Sequence, residues 1–78
     1  MNWFPQVQQI LADVMCVPPD AVQPNTVPND IPAWDSLRHL NLIVALEQTL
    51  GVKFTIRDID RMTGIAEICE IVGHRLEA

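Results

Sequence analysis

Five of the chain's six prolines fall between residues 18 and 32, and that stretch limits the possible folds more than any other feature. Proline fixes φ and has no N–H to donate, so Pro18, Pro19, Pro24, Pro28 and Pro32 keep any regular element from running through residues 17–35. A connection this long inside a small domain is uncommon and is usually functional. Val17, Val22, Val27 and Ile31 are apolar beads along it, expected to pin it onto its neighbours at intervals. The prolines also reduce the entropy of its unfolded state. The spacing leaves room for a short helical turn at Pro19 to Val22.

On either side the pattern is helical. Val7, Ile10, Leu11, Val14 and Met15 recur at i, i+3, i+4, i+7 and i+8, and Trp3 continues the stripe backwards. Pro5 is tolerated in a first turn, where amides are spare. This helix must stop near Cys16, before Pro18 and Pro19. A second helix is expected from Ser36 to Leu50, with Asp35 or Ser36 as N-cap and Gly51 as a left-handed terminator. On a helical wheel Leu37, Leu40, Leu42, Ile43, Val44, Leu46 and Leu50 cover well over half the circumference. That predicts a central helix buried on several sides. Arg38, Asn41, Ala45, Gln48 and Thr49 form the strip expected to be exposed. Thr55 with Asp58 three residues on signals a short third helix, with Ile56, Ile59 and Met62 inward. A last helix is expected after Thr63 as N-cap, with Ile65, Ile68, Cys69, Val72 and Leu76 facing the core and His74 and Arg75 at its C-terminal end. The expected fold is all-α, a four-helix bundle of three long helices and one short, formed by one domain over residues 1–78.

A chain of 78 residues buries a small core, so binding or carrying is favoured over enclosing a substrate in a catalytic pocket. Nearly half the residues are hydrophobic and only two are Trp and two Phe, which predicts an aliphatic interior rather than disorder. Ten acids against five Lys and Arg give a net charge of −5. That excludes nucleic acid as a natural partner and favours basic protein surfaces. The longest apolar run, Leu42 to Leu46, is too short to span a bilayer. The first residues carry no basic signal pattern, so a cytoplasmic location is expected. Cys16 and Cys69 lack metal-ligand spacing and read as reduced small core residues. Met15 and Met62 also read as core.

The chemistry is expected at Trp34-Asp35-Ser36-Leu37, where the long loop meets the second helix. A helix N-terminus offers free amides and partial positive charge, which favour a phosphate attached there. Ser36 supplies a primary hydroxyl. Asp35 could bind a metal ion during phosphoryl transfer or simply cap the helix. His39, one turn on, invites a triad with Ser36 and Asp35, but three neighbours on one turn do not align nucleophile, base and orienter. His39 reads better as hydrogen-bonded to loop backbone. Trp34 is either a loop anchor or a recognition residue.

Taken together, helix one, the wandering loop, Asp35-Ser36-Leu37, Leu40, Leu42 to Glu47, Gly51-Val52-Lys53-Phe54 and Thr63-Gly64-Ile65 resemble the acyl and peptidyl carrier protein family over nearly the whole chain. The resemblance implies a carrier, not an enzyme. Ser36 would receive 4'-phosphopantetheine from coenzyme A through a phosphopantetheinyl transferase, with Asp35 and Leu37 completing the motif. The arm's thiol would carry an acyl group as a thioester, sheltered between the helices. Implied partners are that transferase and an acyl-activating ligase, acyltransferase or ketosynthase, served by a monomer.

Two departures point to a specialised, stand-alone member for a dedicated acyl, lipid or secondary-metabolite pathway. Pro32, Ala33 and Trp34 stand where carriers of bulk fatty acid synthesis usually have a Gly. The usual acids of the second helix are reduced to Glu47, with Arg38, Asn41 and Gln48 on the strip expected to be exposed. Trp34, Arg38, Asn41, Glu47 and Gln48 are therefore the candidates for partner recognition. Other readings remain open at this level: an aminoacyl or peptidyl carrier, an unmodified helical interaction module, or a small hydrolase on Ser36 and His39.

Overall fold

The computed structural model describes residues 3–77. Four α-helices follow in order: α1 (Phe4–Met15), α2 (Ser36–Leu50), α3 (Ile56–Asp60) and α4 (Ile65–Glu77), with 3₁₀ turns at Pro19–Ala21 and Pro28–Asp30 inside the long loop. There is no strand among the described residues. The expected all-α architecture, three long helices and one short, is the one observed, and the turn expected at Pro19 forms.

α1 packs against both α2 and α4. Its stripe of Val7, Ile10, Leu11 and Met15 is buried, together with Ala12. Leu42, Ile43 and Leu46 of α2 and Ile65, Ile68, Ile71 and Val72 of α4 complete an aliphatic core. α1 ends at Cys16, whose backbone turns left-handed with φ 58° while its N–H returns to the Ala12 carbonyl. Cys16 is thus an exposed helix terminator and not a core residue; only Cys69 packs partly against the core. α2 ends as expected, with Gly51 at φ 66° and its N–H on the Glu47 carbonyl.

The burial pattern of α2 corrects the expectation of a helix enclosed on several sides. Leu37, Leu40 and Val44 are 68, 58 and 50% exposed. Among the described residues α1 is the helix that packs extensively on α2, and α3, five residues long, makes no comparable contact with it. Ala45, expected to be exposed, is partly buried against the core instead. Ile56, expected inward on α3, is 80% exposed, and of that trio only Met62 is fully buried.

The loop is held through its backbone as well as through its buried side chains. Gln8 of α1 donates from Nε2 to the carbonyls of Pro19 and Val22, both at 2.9 Å. Thr26, buried, accepts from the Ile65 N–H at 2.9 Å and so caps the start of α4. Gly64 rather than Thr63 precedes that helix. A Cβ there would lie 3.3 Å from the Thr26 carbonyl oxygen and 3.2 Å from a Val27 methyl, so glycine permits the close approach that makes the cap. Val22 and Ile31 are buried as expected and Val17 partly so, whereas Val27 is exposed.

Candidate functional site

The site begins with a turn set by Pro32. The Trp34 N–H returns to the Ile31 carbonyl at 3.0 Å, a β-turn with proline at its second position, where fixed φ is favourable. Ile31 and Trp34, at the two ends of this turn, are both buried. Trp34 is therefore a loop anchor, and its burial removes it from the exposed recognition residues. Asp35 follows in extended conformation and caps α2. Its Oδ1 accepts from the Arg38 N–H at 2.8 Å, and its carbonyl accepts from the His39 N–H at 2.9 Å.

Ser36 is the first helical residue and is exposed. The initial amides of α2 have no intrahelical acceptor and carry the positive end of the helix dipole. Beside Ser36 lies an open cleft of about 490 Å³, lined by Pro28, Trp34, Asp35, His39, Met62 and Thr63. An accessible primary hydroxyl, helix-initial amides and a partly apolar cleft fit a phosphate-linked, flexible group. Sequence reading did not anticipate Pro28, Met62 or Thr63 here. They arrive from the loop and from the α3–α4 connection, and no local spacing signals them.

His39 bonds a side chain and not loop backbone. The Trp34 indole N–H donates to His39 Nδ1 at 3.0 Å, and the rings stack with centroids 6.1 Å apart at 24°. Two of the proposed recognition residues are occupied with internal contacts. Arg38, half-buried, donates from Nη1 to the Val14 carbonyl at 2.8 Å and approaches Cys16 Sγ at 3.8 Å. The guanidinium thereby satisfies an orphan carbonyl at the negative end of α1. Glu47, half-buried, accepts from the Phe54 N–H at 3.0 Å and fixes the α2–α3 connection. Asn41 and Gln48 are exposed as expected, and Leu37 is exposed next to Ser36.

α3 is held from both ends of Asp58. Thr55 and Asp58 form the expected capping box, and Arg75 of α4 donates to Asp58 Oδ2 from Nε at 2.8 Å and Nη2 at 2.7 Å. The Arg75 hydrogen bond, then that of the Thr55 amide, lowers the Asp58 pKa from 3.8 to about 2. Burial pushes the Cys69 thiol up, which keeps it protonated and unreactive.

An exposed, helix-initial serine beside a cleft is an arrangement that can hold a tethered group. The sequence matches the family described as the phosphopantetheine attachment site over residues 5–72, and the chain belongs to this acyl carrier protein family. The fold is similar to that of the holo acyl carrier protein from Geobacter metallireducens, with a TM-score of 0.86 and 30% identity over 95% of this chain and 85% of that chain. No curated protein matches the sequence. Members of the family are carriers that bear covalent 4'-phosphopantetheine, not enzymes. No helix among the described residues is long and apolar enough to cross a membrane.

Proposed function

We propose that Ser36 is the attachment residue and that the chain carries acyl intermediates for a specialised acyl, lipid or secondary-metabolite pathway. The observation that carries the assignment is the position of Ser36: first in α2, exposed, and open to the cleft. Its hydroxyl is accessible to a transferase, the neighbouring amides offset the charge of a phosphodiester, and Asp35 holds the helix start rigid through the Arg38 amide. When attached, the group supplies a terminal thiol that holds cargo as a thioester.

The surface beside Ser36 supports a specialised role. Leu37, Leu40 and Val44 lie at i, i+3 and i+7, an exposed apolar face that begins at the attachment residue. The charges of α2 are turned to internal contacts: Arg38 to α1 and Glu47 to Phe54. A partner reaching Ser36 therefore meets the exposed Asp35 carboxylate and this apolar face, with neutral Asn41 and Gln48 further along. An aliphatic core suits an acyl cargo better than a polar aminoacyl one.

Intact mass after reaction with coenzyme A and a promiscuous phosphopantetheinyl transferase tests the assignment. The wild type should gain one phosphopantetheine and Ser36→Ala none. Modification of the alanine variant would move the site elsewhere. A wild type refractory to every transferase tried would remove it.

A further inference from the structure

The Trp34–His39 pair is unused by anything described so far, yet both rings line the cleft that opens at Ser36. An indole N–H can only donate, so His39 Nδ1 must accept through its lone pair. The proton of the neutral ring then sits on Nε2, on the opposite side of the imidazole. Ser36 and His39 are three residues apart in α2 and share a face, one turn from each other. Helical side chains lean towards the N-terminus, so the His39 ring leans back over the turn that bears Ser36. Trp34 fixes the ring from the other side, and Trp34 is itself fixed by burial and by the Pro32 turn.

We infer that His39 is a binding residue for the arm: its Nε2–H donates a hydrogen bond to a phosphodiester oxygen on Ser36, and the Trp34 indole sets the tautomer that makes this possible. The inference rests on Ser36 as the attachment residue. The pairing gives the anion a directed side-chain donor in addition to the helix amides, so the arm leaves Ser36 along the cleft wall formed by Trp34, Met62 and Pro28. The Asp35 carboxylate, which also lines the cleft, is an acceptor already engaged by the Arg38 amide and cannot donate.

The test uses the holo protein, with loading first verified by intact mass. Imidazole ¹⁵N spectra of apo and holo wild type should show His39 as the Nε2–H tautomer in both, with its Nε2 signal moving on loading while that of exposed His74 stays fixed. The ³¹P phosphodiester resonance of holo protein should shift in His39→Ala. It should return towards wild type in His39→Gln, whose amide N–H₂ can stand where Nε2–H stood. Trp34→Phe, which removes the indole donor, should weaken the preference and admit more of the Nδ1–H tautomer. Identical His39 signals in apo and holo wild type overturn the inference whether or not the variants fold, and leave the attachment at Ser36 intact. Absence of added mass overturns both.

Discussion

Arg38 joins two helices through one guanidinium. It belongs to the first turn of α2, but its charge is delivered to the last turn of α1, where the Val14 carbonyl would otherwise lack a partner. Charged hydrogen bonds of this kind contribute about 1.5–3 kcal/mol when buried, and about 1 kcal/mol is the fair expectation for a half-exposed one. Arg38→Met keeps most of the stem and removes the donor. It should lower the urea midpoint by an amount corresponding to about 1 kcal/mol. An unchanged midpoint would return Arg38 to the solvated surface. A charge swap at this position would therefore disturb the α1–α2 junction before it reported on partner choice, so stability has to be measured alongside any transfer assay.

At the scale of elements, α2 has two apolar faces with different neighbours. Leu46 is fully buried between α1 and the rest of the core, whereas Leu40 is 58% exposed. Leu46→Ala should cost about 2–5 kcal/mol, the range for a core leucine. Leu40→Ala should stay within about 0.5 kcal/mol, the range for a surface site, while slowing loading by the transferase. Thermal melts and a loading time course read the two effects separately, and equal destabilisation by both variants would contradict the packing described. The contrast also marks what the sequence could and could not convey. Apolar period and capping residues are local, so all four helices, a cap at Asp35 or Ser36, the Gly51 terminator and the Thr55–Asp58 box were legible, and the structure selects Asp35. The wheel counts apolar side chains but not the neighbours that cover them, and so it enclosed Leu37, Leu40 and Val44, which no helix packs over. The place of Ser36 at the start of α2 was legible because a helix start is written in adjacent residues. The Trp34–His39 bond was not, because it depends on the tight turn at Pro32 that brings the indole N–H to the imidazole.

At the scale of the molecule, Asp58 is the titrating link between α3 and α4. Its folded pKa of about 2 lies below the 3.8 of an unperturbed carboxyl. A carboxyl depressed on folding stabilises the fold above its unfolded value and loses that contribution as pH falls through the window between the two. Stability should therefore decline from roughly pH 4 towards pH 2. Asp58→Asn should be less stable at neutral pH and flatter across that window. Urea midpoints at several pH values measure the difference, and parallel curves for the two proteins would place the acid sensitivity elsewhere. The manner in which the long loop is fastened has a different consequence. Gln8 grips the carbonyls of Pro19 and Val22, and Ile65 grips that of Thr26. A carbonyl oxygen is supplied by every amino acid. The loop can thus exchange its exposed side chains between these clasps without loosening them, and one architecture can wear many different faces towards the enzymes that visit it.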